Sequence, residues 1–195
     1  MSRTQPRDLM HTREIKSLVR DAYAAVEDAN GTVAAKLYSA EELAQVPQLA
    51  AGGALGVANV LRHAEIEPAE TILDLGCGTG TDTILAALRT GPTGRVIALD
   101  FLPGMLDRAG AAAAEAGLEN VETVEAEMEA IPLPEGSVDR IISNAVLSLS
   151  PRKARALAEC ARVLRPGGKL CVADLTVDED ELPPEVLTHP AAWAG

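Results

Sequence analysis

From His11 to Ala29 the apolar side chains fall at Ile15, Leu18, Val19, Ala22 and Val26, spacings of three and four that set one stripe along a helix. Asn30-Gly31 stops it. Ser39 followed by Glu42 has the spacing of a capping box, which predicts a short helix from near Ala40 that ends before Pro47. Residues 51–60 are small and glycine-rich, the composition of a loop whose backbone lies close to a neighbour. After Pro68 the period changes. Thr71 to Leu75 and Arg95 to Leu99 are short apolar runs, the second closing at Asp100. Val121 to Ala126 and Val138 to Ser143 read as two more strands. Asp82 to Arg89 reads as a helix, as does the Ala-rich stretch from Pro103 to Gly117 with its first-turn proline. Ser150-Pro151 caps and opens a helix to about Leu164; Arg165-Pro-Gly-Gly168 turns the chain, and Lys169 to Val177 is a fifth strand. Alternating strand and helix predict an α/β fold, a mostly parallel sheet covered on both faces.

The chain of 195 residues fits one domain. Its pattern divides it into an N-terminal helical cap (1–60), an α/β core (61–177) and an acidic tail (178–195). Aromatic residues are only 2%, so the core is aliphatic and stacking platforms for nucleic-acid bases are nearly excluded. The net charge of −12 repels phosphate, which argues against nucleic acid and anionic membrane as partners. There is no run of about 18 apolar residues that would span a bilayer. The N-terminus carries Arg3, Arg7 and Arg13 without an apolar signal core, and the three cysteines are odd in number without CxxC spacing. Both features read as cytoplasmic, with no disulfide frame and no zinc knuckle.

The candidate chemistry lies in Asp74-Leu-Gly76-Cys77-Gly78-Thr79-Gly80, after a predicted strand and before a predicted helix. Glycines there let the chain turn sharply and let backbone approach a ligand. Twenty residues after Gly80, Asp100 ends the second strand, where a carboxylate can accept the hydroxyl hydrogens of a ribose. The ligand expected is therefore a cofactor that contains a nucleoside. A dinucleotide would set its pyrophosphate against Asp74, which is unfavourable in a poorly solvated place. S-adenosylmethionine (SAM) brings a sulfonium and an ammonium, and an acidic loop suits it.

These stretches resemble the class I SAM-dependent methyltransferases over roughly residues 11–195. They are ILDLGCGTG (72–80), VIALD (96–100), AEMEAIPLPEGSVD (126–139), ISN (142–144) and RVLRPGGKL (162–170). YSAEEL (38–43), VPQLA (46–50), the LG-x-AN stretch (55–59) and SVDRIISN continuing to LSP (137–151) are similar to the arsenite methyltransferase branch. The resemblance implies a Rossmann-like fold with SAM as cofactor and a small-molecule methyl acceptor. It implies a cofactor loop of Gly76, Cys77, Gly78, Thr79 and Gly80, with Asp74 and Asp82 beside it. Asp100 would hold the ribose. Phe101, Leu102, Met105, Glu127 and Met128 would lie about the adenine, and Asn144 at the mouth of the cofactor site. Tyr23, Tyr38 and Ala145 would form the substrate mouth.

Two departures qualify what the resemblance implies. Arsenite methyltransferases hold the soft As(III) ion with thiolates. Here Val57, Thr83 and Ala145 stand in the regions that carry those cysteines, so arsenite is disfavoured as acceptor. The class I fold also ordinarily ends in a strand hairpin, and nothing after Val177 reads as one. The edge of the fifth strand is then expected to be covered by a partner chain, such as a second copy. The alternatives are a degenerate SAM-binding module with little turnover and a nucleotide-dependent oxidoreductase. The sequence indicates no catalytic triad and no metal site: His11, His63 and His189 are scattered, and Glu119, Glu122, Glu125, Glu129 and Glu135 read as a solvated face.

Overall fold

The computed structural model describes residues 17, 19–21, 23 and 31–176. Ile15, Leu18, Ala22 and Val26 of the first stripe, the tail 178–195, His11 and His189 lie outside the described residues. Val19 is helical and buried, as its place in the stripe requires.

Five strands form one sheet: β1 (Thr71–Leu75), β2 (Arg95–Asp100), β3 (Val121–Glu125), β4 (Val138–Asn144) and β5 (Leu164–Ala173). Their order across the sheet is β3-β2-β1-β4-β5, and every pair is parallel. The helices that follow the strands are α4 (Thr81–Thr90), α5 (Pro103–Glu115) and α6 (Lys153–Val163). Before β1 come α1 (Thr32–Leu37), α2 (Ala40–Leu43), α3 (Gln48–Ala51) and a 3-10 turn at Val60–Arg62.

The period of two along each strand sorts the side chains to two faces. Ile72, Val96 and Ile142 face a core shared with Ile84 of α4 and with Ala34, Tyr38, Val46 and Ala50 of the N-terminal segment. Leu73, Leu75, Ile97, Leu99 and Ile141 face the opposite core, with Ala156, Cys160 and Val163 of α6. The N-terminal segment therefore shares its burial with one face of the sheet. Continuing the same parity to the strand ends brings Asp74, Asp100 and Asn144 to that same face, at the carboxyl edge.

The capping box forms as the spacing predicts: the Ser39 side chain accepts from the Glu42 amide, and the Glu42 carboxylate accepts from the Ser39 amide. Glu42 also receives Asn59 Nδ2 and Arg89 Nη2, which fixes α2 to α4. The glycines of 51–60 are as closely packed as their composition suggests. A Cβ at Gly53 would lie 2.5 Å from Thr79 Cγ2, and one at Gly56 would lie 2.4 Å from Asn144 Nδ2.

Four local expectations are corrected. α1 and α3 are too short to show a period in the sequence, and the stretch read as one loop contains the end of α3 and the first residue of the 3-10 turn. α6 begins at Lys153 rather than Pro151, with Ser150 Oγ accepting from the Arg152 amide just before it. The Arg165–Gly168 turn is a bulge inside β5: Val138 pairs Leu164 and Arg140 already pairs Lys169, so the extra residues loop out, with Gly167 at φ 83°. β5 correspondingly runs from Leu164 to Ala173 rather than from Lys169 to Val177. Finally, Glu129 is buried, not solvated, and its carboxylate accepts from Ser150 Oγ at 2.7 Å. Glu119, Glu122, Glu125 and Glu135 are exposed as expected.

Candidate functional site

The strand order reverses direction between β1 and β4, and open α/β sheets bind ligands in the crevice at such a switch point. A pocket of about 930 Å³, counting its open mouth, lies there. Asp74, Gly76, Cys77, Gly78, Thr79, Asp82, Asp100, Phe101, Leu102, Met105, Met128 and Asn144 line it, and so do Tyr23, Tyr38 and Ala145. Two of the candidates from the sequence do not. Gly80 caps α4 at φ 95° and faces α5, where a Cβ would lie 3.0 Å from that of Ala109. Glu127 is exposed, while its neighbour Met128 turns to the pocket.

The loop after β1 is held by backbone and by the N-terminal segment. The amides of Gly76 and Cys77 both reach the Leu99 carbonyl. Gly76, at φ 76°, leaves no space for a side chain, since a Cβ would meet Val146 at 2.4 Å. The hydroxyls of Thr79 and Thr81 both donate to the Ala50 carbonyl, at 2.8 and 3.1 Å, which ties the loop to α3. Gly78 differs from Gly76: it sits at φ 51° with nothing within 4 Å of where a Cβ would be.

Three buried carboxylates surround the pocket. Asp74 accepts from Thr83 Oγ1 at 2.6 Å; burial, with the neighbouring Asp82 charge, pushes it up to about 8. Asp82 is also raised by burial, against the hydrogen bonds from Asn144 and Tyr38. Asp100 accepts from the amides of Gly78 and Leu102, both at 3.0 Å, and burial raises it in spite of them. No Lys, Arg or His is among the described residues of this wall. Arg20 lies at the rim, 6.0 Å from the centre of the Phe101 ring.

The remaining candidates take definite roles. The Asn144 side chain bonds the 57–58 segment on one side and Asp82 on the other. The Tyr38 hydroxyl donates to Asp82 at 2.8 Å, and burial raises its pKa. Tyr23 is half-buried and raised by burial and by Asp174. Ala145 holds φ 62°, a conformation unusual for a residue with a Cβ. The Cys77 thiol is raised by burial and by Asp74 and Asp100, so it is no ready nucleophile. Cys160 is pushed up to about 11 by burial in α6, and burial raises Cys171 in β5. Among the described residues no cluster of His, Cys, Asp and Glu could hold a metal ion, and no helix is long and apolar enough to cross a membrane.

Sequence reasoning missed part of the wall. Gly53 to Gly56 line the pocket; their signals were a run of small residues and, for Leu55 and Gly56, the LG-x-AN stretch. Val146 and Leu149 follow Ala145 past the end of β4; they lie in the 137–151 stretch that carries the resemblance, but were not singled out as site residues.

The chain is 39% identical over 162 residues to an arsenite methyltransferase of Halobacterium salinarum, covering 80% of this chain and 41% of that protein. Among solved structures it is similar to CrArsM, an arsenic(III) S-adenosylmethionine methyltransferase from Chlamydomonas reinhardtii. That likeness has a TM-score of 0.60 and 32% identity, over 90% of this chain and 54% of the other. A SAM-dependent methyltransferase from Aquifex aeolicus, at 24% identity and a TM-score of 0.58 over 90% of this chain and 79% of the other, shares the fold. The chain spans less than half the length of the curated relatives it matches. The family described as "Methyltransferase domain" matches residues 66–194. The chain therefore belongs to the methyltransferase domain family and carries the Rossmann-like fold of SAM-dependent methyltransferases.

Proposed function

We propose that this chain binds SAM in the strand-end pocket and transfers its methyl group to a small-molecule acceptor. The observation that carries the reading is the charge of the wall: three buried carboxylates and, among the described lining residues, no cation. Burial opposes the ionisation of these carboxyls and no cation of the described lining relieves it, so such a wall favours a cationic ligand and disfavours a pyrophosphate. The open side of Gly78 adds a steric argument, because a ligand can approach its backbone where any side chain would intrude.

In this reading Asp100 accepts from the ribose hydroxyls, using lone pairs left free by the Gly78 and Leu102 amides. Asp74 lies toward the cationic methionine end. Phe101, Leu102, Met105 and Met128 supply apolar surface for the adenine. When bound, SAM supplies an activated methyl group that leaves a neutral sulfide behind. The chain's own contribution is alignment and exclusion of water, which alone can lower a barrier by several kcal/mol.

The acceptor is a small molecule other than arsenite. Arsenic enzymes are among the relatives that resemble the chain, but Ala145, which lines the pocket, and Val57, which does not, stand in the regions where that resemblance implies thiolates. Among the described residues the cysteines are buried or half-buried, and their thiols are raised. Calorimetric titration with SAM and with NAD tests the cofactor: binding of NAD without SAM refutes the proposal. Product formation over a panel of small acceptors, with As(III) plus glutathione as one member, tests the transfer. Methylation of As(III) at a rate matching the best acceptor refutes the exclusion of arsenite.

A further inference from the structure

One wall of the pocket is made not by the sheet but by Tyr38 and the 53–56 segment, and the Tyr38 hydroxyl and the 57–58 backbone that follows that segment are linked through a single carboxylate. Tyr38 Oη donates to Asp82 Oδ1 at 2.8 Å, and Asn144 Nδ2 donates to Oδ2 at 2.9 Å. Asn144 Nδ2 also donates to the Ala58 carbonyl at 2.7 Å, while its Oδ1 accepts from the Val57 amide at 2.9 Å. This orientation of the amide is fixed by its partners: reversed, it would set NH2 against the Val57 N–H and oxygen against the Asp82 carboxylate. Gly56 leaves the space that the Asn144 side chain fills. Asp82 thus joins α4, the end of β4, Tyr38 after α1 and the 57–58 backbone, four pieces far apart in the chain. It is buried, with both oxygens occupied by protein donors.

We propose that Asp82 is a positioning residue for the donor: it holds Tyr38 and, through Asn144, the 57–58 backbone that anchors the 53–56 wall of the pocket, and it acts on donor affinity through those partners rather than by touching the donor. This rests on the SAM reading above. It also separates Asp82 from Asp74 and Asp100, with which the sequence had grouped it.

The experiment is a SAM titration by calorimetry of the full chain as wild type, Tyr38→Phe, Asp82→Asn and the double variant. A wild type that binds no SAM overturns the donor reading and this proposal together. With wild-type binding established, Tyr38→Phe is expected to weaken affinity about fivefold and Asp82→Asn about tenfold, the scale of one ordinary hydrogen bond. The double variant is expected to be no weaker than Asp82→Asn. The new carboxamide must offer its oxygen to Asn144 and its NH2 to Tyr38, so the donation from Tyr38 is already lost. Losses that multiply overturn the positioning role, because two independent contacts with the donor would give that result.

A second readout follows the tyrosine itself. The chain has two tyrosines, so in a Tyr23→Phe background phenolate absorbance reports Tyr38 alone. Adding Asp82→Asn is expected to move its ionisation to lower pH, and an unchanged onset overturns the proposed contact. If Asp82→Asn does not fold, Tyr38→Phe combined with Asn144→Ser carries the same cycle: coupled losses support the proposal and multiplying losses overturn it.

Discussion

The two ends of β1 both bury acids, and they treat them in opposite ways. At the amino end, Glu70 lies 3.0 Å from the Arg140 guanidinium with Arg165 behind it, and Asp139 pairs with Arg165 at 2.6 Å. Burial by itself would raise Glu70, but the Arg140 hydrogen bond, the Glu67 amide and the Arg165 charge outweigh it and hold the carboxyl below its ordinary range. At the carboxyl end, four residues along the same strand, Asp74 has a hydroxyl and two neighbouring carboxylates but no guanidinium, and it is raised. A carboxylate that the fold neutralises internally belongs to the scaffold. One that the fold buries and leaves short of charge is kept for something that arrives from outside.

The largest effect should come from breaking the amino-end network. Arg140→Met leaves Glu70 buried beside an apolar side chain, and denaturant unfolding should show a loss of about 3 kcal/mol. A loss below about 1 kcal/mol would place this network with ordinary surface pairs and remove half of the contrast. SAM affinity of the folded fraction should change little.

The next effect is in the sign of the pH dependence. Asp74 has a folded pKa above its unfolded value of 3.8, so the folded state holds a proton that the unfolded state releases. Its contribution is complete below about pH 4 and is lost as the pH rises to about 8. Glu70 is lowered, so its contribution is present above its unfolded pKa and is lost as the pH falls through its folded one. Asp74→Asn should therefore flatten the decline in stability of the ligand-free protein between those limits, as read by urea titrations at several pH values. The same variant should lose at least about tenfold in SAM affinity, since it removes a charged partner from a buried site. A variant that is more stable near pH 8 yet binds SAM as tightly as wild type would separate the burial of Asp74 from the donor.

Legibility in the sequence followed how local the determining physics is. The strands and the loop at 74–80 were readable because period and turn chemistry act within a few residues. The capping box at Ser39 and Glu42 was readable for the same reason. α1 and α3 were not, since helices of six and four residues are held by packing on the shared core rather than by a period. At 127–128 the sequence marked a stretch but not which of two adjacent side chains turns inward. The role of Asn144 was hidden because its partners lie 86 or 87 positions away and 62 positions away, at Ala58, Val57 and Asp82. The RPGG run did carry its turn signal, but tertiary pairing with β4 absorbed it as a bulge.

The smallest effect tests whether strain, like charge, divides the two ends. It does not in kind: Ala69 before β1 has φ 66° and Ala145 after β4 has φ 62°. An L side chain in this region costs roughly 1–2 kcal/mol, part of which glycine returns as entropy in the unfolded chain. Ala69→Gly and Ala145→Gly should therefore each raise stability by about 0.5 kcal/mol, measured as matched shifts in melting temperature. The difference should appear only in binding. Ala145 lines the pocket and its amide anchors to the Ala173 carbonyl, so added freedom there loosens the wall; Ala69 anchors to the Thr90 carbonyl away from the pocket. Ala145→Gly should weaken SAM about twofold while Ala69→Gly leaves it unchanged, the difference being that only the first must lose its new backbone freedom on binding. Equal effects of the two substitutions on binding would mean that the strain at Ala145 belongs to the sheet edge and has no part in the site.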